Sequence, residues 1–347
     1  MEISAKITGI KYKPLLCRKL NIFNFKDVDK ALSKYATFIL KIDDKNQIAL
    51  SWWVSAKRTR SYPYARVYDS LEFSGKKITI IPIFKDEGKE GDRDFLQWDT
   101  VSLMSLLGVY VIIGYYVDAS KSSRYNQKIT DQRFDIDYIK SQINKILSYQ
   151  SDALHWNLAE IDKVREIGRK ALESYQKISK KLDVEMHSLS SAEKKIEELM
   201  KDKVAFMSSS RDLAQKAQKR ESVTIQPKEL LAGTKATLTI KNYLGGNYYF
   251  TSDEVRIEKD NLFLVEGKHT KQAKLPALED TKDGLLKMIL FTNLKEVNVN
   301  GKTYNPIPVL KLTTGKNFDM KSIKESQKEM LNLLKKESSE NNFKLII

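Results

Sequence analysis

The feature that most constrains the fold is a long segment with helical periodicity in the middle of the chain. From about Phe134 to about Lys219, apolar residues recur at steps of three and four, Lys, Arg and Glu fill the positions between them, and no proline interrupts the pattern. Such spacing places the apolar side chains on one face of a helix. It predicts two or three long amphipathic helices, with breaks at Gly168 or the serines of 188–191, which form a coiled coil or join domains or protomers.

Both flanks of this segment mix strands with helices. Before it, the sequence predicts helices over 27–35 and 95–107 and strands over 37–41, 48–55, 64–68, 77–84 and 109–116. After it, the sequence predicts strands over 236–241, 248–250, 255–258, 262–266 and 308–313 and helices over 280–294 and 320–336. These patterns are typical of the α/β or α+β class.

The length of 347 residues exceeds what one hydrophobic core usually serves. The changes of pattern predict three segments: an N-terminal α/β module over 1–132, long helices for linking or dimerisation over 133–221, and a third domain over 222–347 that ends in a helix.

The charge balance favours a polyanionic partner. The chain has 60 Lys and Arg against 45 Asp and Glu, a formal net charge of +15. A basic surface attracts nucleic acid and gains affinity by releasing counterions from phosphates.

Several classes of protein and site are disfavoured. One cysteine, Cys17, and three scattered histidines argue against a disulfide framework and against metal sites built from these residues. Neither the phosphate-binding loop of ATPases nor the glycine fingerprint of dinucleotide-binding folds is present. The first residues lack a signal-peptide pattern, and the apolar stretch 101–117 is shorter than the ~20 residues of a membrane span. We therefore expect a cytoplasmic protein with no membrane partner.

Residues 251–269, TSDEVRIEKDNLFLVEGKH, contain the group of side chains that decides the functional interpretation. Two short strands flank a turn-forming Lys259-Asp260-Asn261, which predicts a β-hairpin. Glu266 and Lys268 are two residues apart and project from the same face, and the hairpin brings Asp253 beside Glu266.

Two carboxylates and an ammonium at the end of a strand suit Mg²⁺, which prefers carboxylate oxygens, retains waters and completes its coordination with a substrate phosphate. We expect Asp253 and Glu266 to hold the metal, and Lys268 to position or deprotonate the attacking water and contact the phosphate. This chemistry suits hydrolysis of a nucleic-acid backbone.

The pattern resembles the PD-(D/E)XK nuclease core, and its wording is similar to type II restriction endonucleases. The likeness covers residues 222–316: Asp253, a gap of twelve residues, Glu266-Gly267-Lys268 at the end of an apolar strand, and then a helical stretch from Lys274. It implies a restriction-endonuclease-like mixed sheet flanked by helices, with that helix behind the hairpin. Ser252 replaces the proline that precedes the first acid in the family, so Glu254 is an alternative to Asp253.

A rival site is predicted in the first third of the chain. Asp69 and Lys85 end two predicted strands, Glu87-Gly88-Lys89 repeats the acid-X-Lys tripeptide, and Asp99 lies on the following predicted helix. Some restriction enzymes move a metal-binding acid onto that helix, so Asp69, Lys85 and Asp99 are an alternative catalytic centre. A charged loop capping the helix near Phe95 explains the same residues without catalysis.

The segment 57–66 alternates basic and aromatic residues, a pattern suited to phosphate contact and reading of base edges. Lys57, Arg58, Arg60 and Arg66 are the predicted DNA-binding residues. An exposed loop whose tyrosines pack on a sheet would show the same composition.

These features together lead us to expect a Mg²⁺-dependent, site-specific endonuclease acting on double-stranded DNA. A palindromic duplex presents symmetric scissile bonds, so a homodimer is the expected assembly. The alternative is a non-catalytic basic DNA-binding or scaffold protein organised by the helical middle.

Overall fold

The structure, a computed structural model, describes residues 1–56, 61–200, 234–242, 247–272, 274–316 and 318–347. Helices within these residues, in chain order, are α1 Val28–Lys34, α2 Ser61–Tyr68, α3 Trp98–Leu106, α4 Ile136–Ser148, α5 Ala153–Asp162, α6 Val164–Leu182, α7 Leu189–Met200, α8 Leu278–Phe291 and α9 Glu325–Glu340. The first ten strands are β1 Glu2–Ile7, β2 Ile22–Asn24, β3 Thr37–Lys41, β4 Gln47–Trp52, β5 Lys76–Pro82, β6 Phe84–Asp86, β7 Arg93–Phe95, β8 Val109–Gly114, β9 Tyr116–Lys121 and β10 Ile129–Phe134. The remaining strands are β11 Thr234–Asn242, β12 Asn247–Glu258, β13 Asn261–His269, β14 Lys295–Val299, β15 Lys302–Thr313 and β16 Lys344–Ile346.

The chain forms two compact units. The first contains Met1–Lys19, Tyr64–Glu72 and Arg211–Ile347, and the second contains Leu20–Pro63 and Phe73–Ser210. This grouping differs from the three predicted segments. Strand β1, at the start of the predicted N-terminal module, pairs in parallel with β11 and antiparallel with β14. A pairing across more than 200 residues leaves no local signal in the sequence.

The first unit is built on a mixed sheet that closes on itself. Its strands follow the order β13-β12-β11-β1-β14-β15, and β15 pairs in parallel with β13 to complete the ring, while β16 adds beside β15. Strand β13 is buried on both faces: Phe263 and Val265 pack with Val309, and Leu264 and Glu266 point the other way. Burial on both sides explains why LFLV is continuously apolar instead of alternating.

Helix α8 packs against β13 and β15. Its residues from Thr281 to Phe291 are almost all buried. Gly284 permits the close approach, because a Cβ atom at this position would lie 2.7 Å from Leu310 Cδ1 and 3.2 Å from Lys268 Cε. The helix predicted over 280–294 is therefore confirmed, beginning two residues earlier and ending three residues earlier.

The second unit has a five-stranded mixed sheet in the order β2-β3-β4-β5-β8. Helix α5 covers the edge strand β8. The Asn157 side chain accepts a hydrogen bond from Val111 N at 2.7 Å and donates to Val109 O at 3.0 Å, and Trp156 Nε1 donates to Val111 O at 2.8 Å. These bonds satisfy backbone groups that an uncovered strand edge would present.

The helical middle therefore packs partly on the sheet of the second unit. Four helices, α4 to α7, lie between Ile136 and Met200; α4 and α5 contact β8, and α6 contacts β9 and α7. The predicted break at Gly168 is wrong, because this residue lies inside α6 and packs against Ile196. The part of the helical prediction from residue 201 to 219 lies outside the described residues.

One predicted strand, 64–68, is wrong. These residues belong to helix α2, in which Pro63 occupies the first turn. A proline is tolerated there because its missing N–H would have no partner within the helix. Tyr64, Val67 and Tyr68 are buried on this short helix, so their aromatic and β-branched character imitates a strand. The broader prediction of an α+β chain is confirmed.

Candidate active site

The hairpin predicted over 251–269 is present as β12 and β13. Glu254 pairs with Val265, and Asp253 and Glu266 lie at the next positions of the two strands, on the face opposite to Glu254. Asp253 Oδ2 accepts a hydrogen bond from Gly267 N at 2.8 Å. The local geometry thus brings both predicted metal-binding carboxylates to the same end of the hairpin.

Glu266 lies at the centre of a buried ionic cluster. Its side chain is 2 % exposed, and its two oxygens contact Lys268 Nζ at 2.9 Å and Lys287 Nζ at 2.7 Å. Burial opposes ionisation, but the two ammonium groups outweigh it and hold the pKa of Glu266 below its usual value. The carboxylate is therefore charged at neutral pH.

Lys268 is held between two carboxylates. Its Nζ pairs with Glu266 and with Asp283 of α8. Burial would lower its pKa, but Glu266 and Asp283 raise it well above the ordinary value. A lysine with a raised pKa remains protonated near neutral pH, so Lys268 can donate hydrogen bonds and neutralise a phosphate but is a poor base.

Sequence reasoning missed two members of this cluster, Asp283 and Lys287. Both are carried by α8, one helical turn apart, so they project from the same face towards β13. The signal that could have found them was the i, i+4 spacing on either side of Gly284, where Lys287 interrupts the apolar run from Leu285 to Phe291.

Glu254, the alternative first acid, lies on the opposite face of the hairpin from Glu266, because neighbouring strand residues alternate. Its carboxylate contacts Arg256 Nε at 3.4 Å and Lys311 Nζ at 3.8 Å. Glu254 is therefore not placed to share a metal with Glu266.

The rival residues do not occupy equivalent positions. Asp69 follows helix α2 instead of ending a strand, and it forms a buried ion pair with Lys282 within the first unit. Lys85 belongs to β6 of the second unit and pairs with Glu87, which Lys128 Nζ also contacts at 2.9 Å. Asp99 lies on α3, as predicted, but its side chain is outside the described part of the chain. The strand-end geometry that motivated this alternative is absent at Asp69.

Three of the four predicted DNA-binding residues, Lys57, Arg58 and Arg60, lie outside the described residues. Arg66 is half-buried on helix α2. The helix replaces the strand that the sequence predicted over 64–68.

The carboxylates at this end of the hairpin are ligands of the kind that a hard divalent cation prefers. Within the residues that the structure describes, no group of three or more His, Cys, Asp or Glu side chains could by itself hold a metal ion. Asp253 and Glu266 are two carboxylates on one face, and Mg²⁺ is often bound by only one or two carboxylates with waters and substrate phosphate. The residues present therefore fit a cation that depends on its substrate for part of its coordination.

In comparisons with known proteins, the chain matches no family model, no curated protein and no solved structure. None of the described helices is long and apolar enough to cross a bilayer. The geometry and charge of this cluster are therefore the basis for a functional proposal.

Proposed function

We propose that this chain is a Mg²⁺-dependent endonuclease that cuts double-stranded DNA at specific sites, similar to type II restriction enzymes. The observation that carries the proposal is the arrangement of Asp253 and Glu266 across the hairpin with Lys268 bonded to Glu266. The hairpin of β12 and β13, followed by helix α8, by β14 and by β15, which pairs in parallel with β13, supports the restriction-endonuclease-like sheet that the resemblance implies.

Four residues of the cluster, Asp253, Glu266, Lys268 and Asp283, have a role in this proposal. Asp253 and Glu266 would hold the metal, which would supply polarisation of the phosphodiester and activation of water. Lys268, kept protonated, contacts the phosphate and positions the attacking water. Asp283 orients Lys268 through their ion pair.

The net charge of +15 supports attraction to DNA. In this proposal Lys57, Arg58, Arg60 and Arg66 contact the duplex, and a homodimer presents two such sites to a palindrome.

The test is cleavage of plasmid by the purified chain with Mg²⁺ and with EDTA. Glu266→Gln and Lys268→Met should each abolish discrete fragments. The matched control is Glu254→Gln, a buried ion-paired carboxylate in the same hairpin that faces away from the cluster. Cleavage that survives both cluster substitutions, or that is lost equally in the control with its fold intact, contradicts the proposed site.

The alternative is a non-catalytic DNA-binding or scaffold protein. The pairing of both Glu266 oxygens with lysines favours it, because such a self-neutralised cluster can serve as a structural core. DNA retention without cleavage at any Mg²⁺ concentration, unaffected by Glu266→Gln, would support this reading.

A further inference from the structure

Lys287 is the member of the cluster for which the proposed nuclease chemistry has no role. Its Nζ lies 2.7 Å from Glu266 Oε2 and 3.5 Å from the carbonyl oxygen of Thr251 on β12. Its side chain is 18 % exposed. The ammonium therefore contacts two oxygens at the same end of the hairpin that carries Asp253.

The ion pair with Glu266 holds the Lys287 ammonium in this position. Its 2.7 Å contact with Glu266 Oε2 joins an ammonium to a carboxylate whose side chain is only 2 % exposed. A charge-assisted hydrogen bond inside a protein is stronger than its equivalent in water. Lys287 thus occupies an oxygen of Glu266 that the proposed metal would need.

We infer that Lys287 competes with the divalent metal for Glu266, so that the metal binds only when the ammonium is released from that carboxylate. This inference rests on the proposed function, because it assigns Asp253 and Glu266 to the metal. The cluster contains Asp253, Glu266 and Asp283 against two lysines, one carboxylate in excess. Such a site attracts a second cation weakly until one ammonium leaves.

A substrate phosphate can release the Lys287 ammonium from Glu266. An ammonium that leaves Glu266 can pair with a phosphate oxygen instead, so DNA would weaken the Lys287–Glu266 contact while the metal gains an oxygen ligand. Metal and DNA then bind cooperatively, since each removes a barrier to the other. The free protein remains largely metal-free and does not present a loaded centre to other phosphates.

The experiment measures Mn²⁺ binding to the full chain without DNA at pH 8, by calorimetry. Lys287→Met should raise the affinity about 10- to 100-fold, because the competing hydrogen bond between charged groups is removed. Lys287→Gln should raise it in the same direction. The matched control is Lys311→Met, which removes a lysine from the opposite face, where it pairs with Glu254; its affinity should equal that of the wild type.

Adding Glu266→Gln to Lys287→Met should remove the gain. If Lys287→Met binds Mn²⁺ no more tightly than the wild type while unfolding at a similar temperature, or if no variant binds Mn²⁺, the inference is overturned. If both substitutions at Lys287 prevent folding, a measurement on the wild-type chain tests the competition instead. Its Lys287 ammonium NMR signal must shift when Mg²⁺ and a short duplex are added together, and an unchanged signal overturns the competition.

Different results refute the competition by Lys287 and the proposed nuclease function. A gain of Mn²⁺ affinity in Lys287→Met, with no DNA cleavage by any form, leaves the competition standing and removes the nuclease. Cleavage by the wild type with Mn²⁺ affinity indifferent to Lys287 leaves the nuclease standing and removes the competition.

Discussion

Replacing Gly284 with alanine tests whether close packing of α8 positions Lys268. The added Cβ would lie 2.7 Å from Leu310 Cδ1 and 3.2 Å from Lys268 Cε, so at least one side chain must move. Alanine stabilises a helix interior by about 1 kcal/mol relative to glycine. Overpacking a core costs about 1–3 kcal/mol. We therefore expect a net loss of up to about 2 kcal/mol in the free energy of unfolding, from the difference of these two terms.

The same substitution at Gly168 is the matched control. Its Cβ would lie 2.6 Å from Ile196 Cγ2, so the gain in helix propensity and the packing conflict are similar, but the site is in the second unit. Urea unfolding followed by circular dichroism reports both units, whereas tryptophan fluorescence reports the second unit, which contains all four tryptophans. Gly284→Ala should lower the stability of the first unit. It should also reduce the rate of DNA cleavage at least tenfold, because displacing Lys268 by enough to remove about 1.4 kcal/mol of transition-state stabilisation slows a reaction tenfold.

Two results would refute this reasoning. If Gly284→Ala is more stable than the wild type by about 1 kcal/mol, helix propensity acts alone and the close approach is not restrictive. If Gly284→Ala is destabilised but cuts DNA at the wild-type rate, the position of Lys268 does not control the reaction. Gly168→Ala should keep full activity in either case.

Three further predictions concern stability and reactivity. Burial opposes ionisation of Glu87, but its two lysine partners lower its pKa to about 2. Its contribution to stability is therefore present above pH ~4.5 and is lost as the pH falls towards 2. In the wild type the free energy of unfolding should fall by about 1–3 kcal/mol over that range because of this group, and Glu87→Gln should remove this part of the pH dependence in unfolding curves. Burial raises the pKa of the Cys17 thiol to about 12, so alkylation at pH 8 should be slow in the folded chain and fast in urea; equal rates would contradict this environment. Lys282→Met leaves Asp69 without its buried partner and should cost about 3–5 kcal/mol, measured by urea unfolding; a loss under 1 kcal/mol would mean that solvent reaches the pair.

The hairpin and its carboxylates could be predicted because the information is local. The alternation of side chains in β12 and β13 places Asp253, Glu266 and Lys268 on one face, whatever the rest of the chain does. The same alternation puts Glu254 on the other face, and a stricter use of it would have removed that alternative.

The partners of these residues depended on the tertiary structure. Nothing in the spacing of 251–269 indicates that Asp283 and Lys287 of a later helix complete the cluster, because this needs the packing of α8 over β13 at Gly284. Likewise, the strand prediction at 64–68 failed because side-chain type alone does not say which backbone the packing stabilises.

The sequence by itself determined the α+β class, the hairpin with its acid-X-Lys end, and most of the helices, because hydrophobic period and turn residues act over a few positions. Only the tertiary structure decided that β1 completes the sheet with β11 and β14, that the helical middle packs on β8, and that Glu266 is paired with two lysines. These outcomes depend on contacts between residues far apart in the chain, whose free energies no local pattern encodes.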